Sequence, residues 1–312
     1  MRFGIGPNVS SVDPPRVALK VDVDTHDGLR VGVPVIRERL AAYGIRASFF
    51  VVCGPDTMGR RLHRLLRPSF VRKLIRTRAP STYGWRTLLS GTLLPARPIA
   101  AAFPELLRAL IRDGHEVAVH GHDHARWQDR LPELDAATVV AEVARARAVY
   151  REALGMDPRA FGAPGWRCTA ASLAAVDDAG FAYRSDTRGT APYRPAVRGY
   201  AFRAPELPTT LPTLDETYGV VGRDPAVLAD DLVTRIRPGA LDVHTIHAEL
   251  EGGPHVDMLD ALLSRTVQRV RFVRLCDEAD ALDLAALPIC EVRDGILPGR
   301  PLPVAVQQPP NS

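Results

Sequence analysis

The sequence predicts an α/β protein whose core is a distorted or incomplete (β/α) barrel of about seven strands. Two observations lead to this fold class. Segments rich in β-branched residues alternate with helical patterns, which is typical of a parallel sheet with right-handed crossovers. About seven such units fall within roughly 270 residues of the 312-residue chain, a length that suits a barrel. A doubly wound open sheet is the alternative.

Strands are predicted where short apolar runs follow turn residues. They cover residues 17–23, 46–53, 115–120, 160–164, 181–186, 240–247 and 271–275, with an extended stretch over 199–212. Helices are predicted where apolar residues recur at helical spacing between starting and ending signals. They cover residues 33–43, 58–78 with a break at Pro68, 99–112, 135–154 with Asp135 as N-cap, 169–179, 224–235 and 256–267.

The composition excludes several classes of protein. With 46% hydrophobic and 24% charged residues, the chain is neither disordered nor fibrous. A net charge of +4 gives no support to nucleic-acid binding. The four cysteines form no C-x-x-C pair, which favours a reduced compartment over a disulfide scaffold. Without a signal peptide or a long apolar run, the protein is expected to stay in the cytoplasm.

The predicted organisation has three parts. An N-terminal arm covers residues 1–15, and a catalytic domain covers residues 16–287 with a basic amphipathic insertion at 56–98. Residues 288–312 contain six prolines in 25 residues. This proline content predicts a flexible tail.

Residues with catalytic potential stand at the ends of four predicted strands. They are Asp22 and Asp24 after the first strand, His120 and His124 after the third, Asp186, and His247. Barrel enzymes carry their active sites at this edge of the sheet. The two histidines can face one metal ion, with Asp24 as the natural third ligand, and such a set leaves coordination positions open for catalysis. A surface cluster of histidines is the alternative interpretation.

Two further features bear on the chemistry. Asp22 and Asp24 lie on one face of a strand, so that a metal ion on one carboxylate leaves the other as a base. The segment 161–167, F-G-A-P-G-W-R, predicts a rigid turn whose backbone N–H groups can stabilise an oxyanion. A plain strand-to-helix turn would have a similar sequence.

These motifs resemble those of a known family. V-D-V-D-T, H-x-x-x-H, A-P-G-W-R, S-D and T-I-H are similar, in order and spacing over residues 17–275, to the five motifs of the NodB-type polysaccharide deacetylases, carbohydrate esterase family 4. K-V-D-V-D-T, the segment 54–92, S-D-T-R-G-T-A-P-Y-R-P, L-P-T-L-D-E and T-I-H-A-E-L-E-G resemble more closely the deformylases of the lipid A aminoarabinose pathway. Their substrate is undecaprenyl phosphate carrying 4-deoxy-4-formamido-L-arabinose.

The resemblance implies a role for each matching residue. Asp22 would be the catalytic base, and His247 the general acid. Asp24, His120 and His124 would hold one divalent metal ion, with zinc preferred and cobalt, manganese or iron as alternatives. Asp186 would orient the charged network. The substrate-binding set would comprise Gly165, whose N–H would bind the oxyanion, with Trp166, Ile246 and Glu249.

The chain departs from the family at the third motif. Many members have an arginine there that pairs with the catalytic aspartate, whereas this chain has Gly162. Arg167, at the other end of the turn, is the expected replacement. His244 is an alternative to His247 as the general acid.

Residues 59–78 contain eight basic residues and no acidic residue. Two short basic amphipathic helices joined at Pro68 would suit the surface of a membrane, and a solvated charged face is the alternative. The predicted contacts with an anionic lipid surface are Arg60, Arg61, Arg64, Arg67, Arg72 and Lys73. They predict a peripheral location on the cytoplasmic face of the inner membrane.

Other functions compete with this interpretation. One is N-deacetylation of another N-acetylated sugar or polysaccharide precursor. A second is a catalytically silent carbohydrate- or lipid-binding module, although the full set of polar site residues argues against it. Nucleic-acid binding is not expected, because few aromatic residues lie among the arginines. The oligomeric state is left open.

Overall fold

The computed structural model describes residues 13–60, 87, 89–300 and 302–309. Its β-strands form two sheets, of seven and four strands. In chain order the strands are β1 (Arg16–Val23), β2 (Ser48–Val51), β3 (Glu116–Val119), β4 (Ala160–Phe161), β5 (Tyr183–Arg184), β6 (Arg194–Val197), β7 (Tyr200–Ala201), β8 (Leu241–His247), β9 (Arg271–Val273), β10 (Ile289–Gly295) and β11 (Val304–Gln307).

The larger sheet is parallel throughout. Its order is β5-β4-β3-β2-β1-β8, and β9 pairs with the first residues of β1. Within the described ranges β5 and β8 end the row, so the predicted barrel of about seven strands is confirmed in its incomplete form. Since the strands all run in one direction, their carboxyl ends meet at one edge.

The helices follow the predicted pattern closely. The α-helices described are α1 (Val33–Ala42), α2 (Pro104–Arg112), α3 (His124–Arg130), α4 (Ala136–Leu154), α5 (Ala170–Asp178), α6 (Leu214–Thr217), α7 (Pro225–Thr234), α8 (Val256–Thr266) and α9 (Leu275–Asp280). Asp135 is the N-cap of α4, as predicted, and its carboxylate accepts a hydrogen bond from the Thr138 N–H at 2.7 Å. The sequence interpretation missed α3, the helix that begins at His124.

The two faces of β1 have different surroundings because side chains alternate along a strand. Leu19 and Val21 belong to the large apolar core beneath the outer helices. Ala18 belongs to the smaller core inside the sheet. Lys20 and Asp22 share the face of Ala18, and both are fully buried. A charged pair is therefore placed inside the barrel, near its carboxyl edge.

The flexible tail predicted for residues 288–312 is wrong for residues 289–295 and 304–307, which form strands. Strands β10 and β11 pair with each other, and β10 joins β6 in the second sheet, whose order is β11-β10-β6-β7. Cys290, Val292 and Ala305 are buried there with Tyr193. Alternating apolar residues thus order a segment that its prolines suggested would be loose.

Part of the predicted membrane element lies outside the described residues. The residues of the element outside the described ranges are Arg61, Arg64, Arg67, Arg72 and Lys73. Residues 1–12 of the predicted N-terminal arm also lie outside those ranges. In the ranges that the structure does cover, none of the helices has the length and apolar character needed to cross a membrane.

Candidate metal centre and active site

Polar side chains gather at the carboxyl edge of the parallel sheet. Asp22 is the last residue but one of β1, Asp24 follows the strand, His120 follows β3, and His247 ends β8. In the register of β1 and β8, Asp22 lies beside His247. The parallel topology therefore joins residues from distant parts of the chain in one site.

Asp24, His120 and His124 form a compact group. One ligand atom from each residue lies within 4.8 Å of the others, and no other such group of metal-ligating residues is found in the described part of the chain. His120 Nε2 is 3.4 Å from Asp24 Oδ1, and His124 Nε2 is 3.4 Å from Asp24 Oδ2. Both imidazoles therefore converge on the two oxygens of one carboxylate. The predicted proximity of the three residues is confirmed.

The two histidines are held by different elements rather than by one helix. His120 lies in the loop after β3, and His124 is the first residue of α3. Between them, Asp123 caps α3 by accepting a hydrogen bond from the Arg126 N–H at 3.0 Å. The same carboxylate accepts a 2.7 Å hydrogen bond from the Thr57 hydroxyl. Asp123 thus fixes where the His124 helix begins.

Glu249 holds the backbone of the third ligand in place. Its Oε1 accepts hydrogen bonds from the N–H groups of Asp24 and Thr25, at 3.0 and 2.9 Å, and from the Thr25 hydroxyl. A Cβ atom at Gly28 would lie 2.0 Å from this oxygen, so the position requires glycine. Glu249, predicted as a sugar contact, has one carboxylate oxygen committed to positioning Asp24.

The pKa values of Asp24 and Glu249 are shifted in opposite directions. Burial alone would raise the pKa of Asp24, but the facing charges of His124 and His120 hold that pKa well below its usual range. Burial, reinforced by the charge of Asp24, raises the pKa of Glu249 well above its ordinary value. The surroundings of the site thus favour the charged form of Asp24 and disfavour the charged form of Glu249.

This group fits a divalent cation. Asp24 Oδ1 is buried and accepts no hydrogen bond from the residues that the structure describes. A buried polar atom without a partner calls for an explanation such as a bound ion. Two imidazoles and one carboxylate are the donor set of an open metal site, with positions left for water and substrate.

Asp22 is bound to a lysine rather than to an arginine. The ammonium of Lys20 lies 2.8 Å from Asp22 Oδ1 and 3.0 Å from Oδ2. It also lies over the ring faces of Phe50 and Trp166, at 4.8 and 5.5 Å from their centres. Many family members have an arginine beside this aspartate. In this chain the cation beside Asp22 is Lys20, from the same strand, β1.

His247 stands across the strand pair from Asp22. The centre of its ring is 6.3 Å from that of Trp166 in an edge-on arrangement, and its backbone N–H donates to Glu251 Oε2 at 2.9 Å. Burial raises the pKa of Glu251 to about 8. His244 is buried elsewhere, and burial together with Arg188 lowers its pKa to about 4. Partial exposure and proximity to Asp24 favour His247 over His244 as a proton donor.

The turn after β4 approaches the site with an unusual backbone. Gly165 and Trp166 both have positive φ, at 62° and 53°. Gly165 suits this conformation, because an L side chain is strained at its positive φ and a Cβ atom there would displace the side-chain amide of Gln128, 2.1 Å away. The Trp166 indole N–H donates to the Thr209 hydroxyl at 3.1 Å, which fixes the ring against the site.

Two of the predicted site residues lie elsewhere. Arg167 directs its guanidinium to the Pro303 carbonyl at 2.9 Å and to Asp294, so the expectation that it pairs with Asp22 is wrong. Ile246 lies beside Val21 in the large core, because it is on the face of β8 opposite to His247. It therefore cannot line a pocket for the acyl group on the Asp22 side of the sheet.

Asp186 belongs to a buried acidic pair behind the site. Its backbone N–H donates to Glu206 Oε1 at 2.8 Å, and burial together with the charge of Glu206 raises the pKa of Asp186 well above its ordinary value. It also lies near the backbone of Ala163 and in the field of Lys20. A role in orienting the charged network remains a prediction.

Sequence reasoning missed three cations beside Trp166. One is Lys20, and the guanidinium groups of Arg188 and Arg300 lie 5.4 and 4.2 Å from the centre of the indole ring. Arg300 also donates to Glu216 Oε1 at 2.5 Å. A lysine inside an apolar strand was a readable signal, since buried lysines require a partner. Arg300 gave no such signal, because it stands in the segment expected to be flexible.

One family model and two relatives of known name are similar to most of this chain. The model of the polysaccharide deacetylase family matches residues 10–184. A protein of Shewanella sediminis is 34% identical over 91% of this chain and 92% of its own length, and one of Wigglesworthia glossinidia brevipalpis is 27% identical over 90% and 98%. Both carry the name probable 4-deoxy-4-formamido-L-arabinose-phosphoundecaprenol deformylase.

The fold is also found among solved structures. A crystal structure from Mycobacterium smegmatis, assigned as a polysaccharide deacetylase, superposes with a TM-score of 0.61 at 20% identity. The match covers 93% of this chain and 98% of that one. The incomplete parallel barrel is thus an architecture shared with a known structure.

Proposed function

This chain belongs to the polysaccharide deacetylase family, and on that premise we propose that it removes the N-formyl group from undecaprenyl-phosphate-linked 4-deoxy-4-formamido-L-arabinose. The observation that carries the proposal is the 34% identity over nine-tenths of both chains with a relative named for that reaction. The convergence of Asp24, His120 and His124 supports a metal-dependent hydrolysis of the amide.

The residues of the site divide the work of amide hydrolysis. Asp24, His120 and His124 would hold a divalent ion, which supplies a Lewis acid that polarises the formyl carbonyl and acidifies a water molecule. Asp22 accepts the proton of the attacking water. The Gly165 N–H stabilises the oxyanion. Protonated His247 donates a proton to the departing amine, which is too basic to leave as an anion.

Zinc is the metal we propose first. Two imidazoles with one carboxylate form a typical catalytic zinc set, although cobalt, manganese and iron accept the same ligands. Elemental analysis of protein purified without added metal identifies the ion, and reconstitution of the stripped protein with each metal ranks their activities.

Mass analysis of the product tests the reaction. Metal-loaded protein is incubated with the lipid-linked formamido sugar and, separately, with its acetamido counterpart. We expect the first to be hydrolysed, so that hydrogen replaces the formyl group in the product and formate appears in solution, with Asp22→Asn as the inactive control. Loss of the acetyl group alone would replace this proposal with the second candidate, N-deacetylation of another sugar, which the family name favours. No reaction with either substrate would contradict the proposed deformylation.

The location of the substrate suggests a further part of the proposal. An undecaprenyl chain is buried in the membrane, so we place the enzyme at the cytoplasmic face of the inner membrane, held there by the basic residues between 59 and 78. Arg60, the described member of that group, has its guanidinium 3.2 Å from Asp123, the N-cap of the His124 helix. Arg60 therefore adjoins the helix that carries one of the candidate metal ligands.

Flotation with vesicles tests the membrane contact. We expect binding to vesicles that contain phosphatidylglycerol and none to phosphatidylcholine alone. The double substitution Arg64→Glu and Arg67→Glu should abolish flotation, whereas Arg147→Glu with Arg151→Glu on α4 makes the same change in charge elsewhere and should not. Equal flotation of the two variants would contradict the assignment of this surface.

A further inference from the structure

Lys20 is the most deeply buried cation near the candidate metal centre. Its side chain is 1% exposed, and both oxygens of Asp22 lie within 3.0 Å of its ammonium. A buried ammonium is costly unless it is paired, and here Asp22 is its ion-pair partner. The rings of Phe50 and Trp166 cover the other sides of the ammonium, so its position is well defined.

Asp22 stands close to the candidate metal ligands without belonging to them. Its Oδ2 is 3.8 Å from His120 Nε2, the same nitrogen that lies 3.4 Å from Asp24 Oδ1. A small rotation of the Asp22 side chain would bring a second carboxylate to the ion. Four protein ligands are typical of a closed structural site, whereas three leave the open position that catalysis needs.

The sequence adds an independent indication. Only Lys20 and Lys73 are lysines among the 40 basic residues of the chain, and all the others are arginines. Lysine presents a compact point charge, whereas arginine presents a planar fork that extends further. The space between Asp22 and the two rings therefore holds the cation that this chain otherwise rarely uses.

We propose that Lys20 is a positioning residue that holds Asp22 off the metal ion, so that Asp22 stays available as a base and the ion keeps an open position. The inference rests on the metal site of the proposed function. It assigns to Lys20 a task that Gly162, at the third motif, cannot perform, since glycine has no side chain.

Cobalt(II) absorption spectra test this assignment without relying on turnover. Full-length wild-type protein, Lys20→Met, Asp22→Asn and the double variant are stripped and reloaded with Co²⁺. We expect the Lys20→Met spectrum to shift as Asp22 becomes a ligand, and the ion to leave more slowly to a chelator. The double variant should return to the spectrum of Asp22→Asn, because the added carboxylate is then absent.

The outcomes separate this inference from the proposed function. A wild-type protein that binds no cobalt would overturn both. A wild-type protein that binds cobalt, with an unchanged spectrum and chelator rate in Lys20→Met, would overturn the inference alone. If Lys20→Met does not fold, Lys20→Gln decides, since its amide still donates a hydrogen bond to Asp22 but lacks the charge that restrains it. Its cobalt spectrum should shift in the same direction.

Discussion

Asp22 and Asp24 stand on the same edge of one sheet, yet their neighbours differ in kind. Asp24 is faced by the imidazoles of His120 and His124, which come from β3 and α3. Asp22 is faced by the ammonium of Lys20, which comes from its own strand. We call Asp24, His120 and His124 the imidazole side of the site, and Asp22, Lys20 and His247 the ammonium side. The carboxylate of Asp24 can bind a metal ion, whereas that of Asp22 stays paired with Lys20. Two identical residues therefore receive different tasks from what surrounds them.

The loop after β8 repeats this division. Glu249 supports the imidazole side by binding the backbone N–H groups of Asp24 and Thr25. Glu251 supports the ammonium side by accepting the His247 N–H. Two buried glutamates, Glu249 and Glu251, thus each support one side of the site. Substitutions on the imidazole side should change metal binding, whereas substitutions on the ammonium side should change turnover with the metal still bound.

The largest expected effect comes from breaking the imidazole side. His124→Ala removes one of three ligands, so the ion should be lost and formate release should fall by about three orders of magnitude or more. Elemental analysis and a formate assay measure the two quantities. His255→Ala, which removes an imidazole that packs against Tyr218 and is not one of the three ligands, is the control. Retention of the ion in His124→Ala would contradict the ligand assignment.

Breaking the ammonium side should leave the metal in place. Asp22→Asn keeps the shape of the side chain but cannot accept the proton of water, so turnover should fall about 100- to 10,000-fold. Metal content should equal that of the wild type, which distinguishes this variant from His124→Ala. Loss of the ion in Asp22→Asn would show that both carboxylates are ligands and would remove the distinction between the two sides.

Glu251, on the ammonium side, should make the stability of the folded protein depend on pH. Its pKa is raised from 4.5 to about 8 in the folded protein, so the folded state retains a proton that the unfolded state has released. The stability of the wild type relative to Glu251→Gln should therefore be greatest below pH 4.5 and should decline as the pH rises to about 8. The decline should be on the order of a few kcal/mol.

Urea unfolding across this pH range measures the effect. Glu152→Gln, at an exposed position of α4, should track the wild type at every pH. A constant difference between wild type and Glu251→Gln over the whole range would contradict the raised pKa.

The smallest expected effect concerns the helix that carries His124. Asp123→Ala removes the N-cap of α3 and should cost about 1 kcal/mol of stability. It should also weaken metal binding, because His124 is the first residue of that helix. Asp135→Ala removes the corresponding cap of α4, away from the metal ligands, at a similar cost. Equal metal affinity in the two variants would show that the cap does not position His124.

The sequence allowed the metal ligands to be predicted better than the residues that support them. Asp24, His120 and His124 follow strands of the parallel sheet, and the topology of such a sheet brings its carboxyl ends together. Lys20 was missed because it reads as part of an apolar strand. Ile246 was misplaced because its neighbour in sequence, His247, occupies the other face, an alternation that could have been counted from Asp22.

The C-terminal strands show where prediction from local sequence ends. Prolines between 288 and 310 indicate a flexible segment, yet β10 pairs with β11 and with β6. That pairing depends on residues from the region around 194–197, far away in the sequence. The contacts of Arg167 with Asp294 and Pro303 follow from the same pairing. Such long-range contacts have no local signature.

The central claim is that one ion, held by Asp24, His120 and His124, enables hydrolysis of a formamide. Stepwise addition of Co²⁺ to stripped protein, with formate release from the lipid-linked sugar measured at each step, tests it most directly. We expect negligible release without metal and a linear rise that stops at one ion per chain. Release that is already full in the stripped protein, or that never responds to cobalt, zinc, manganese or iron, would contradict it.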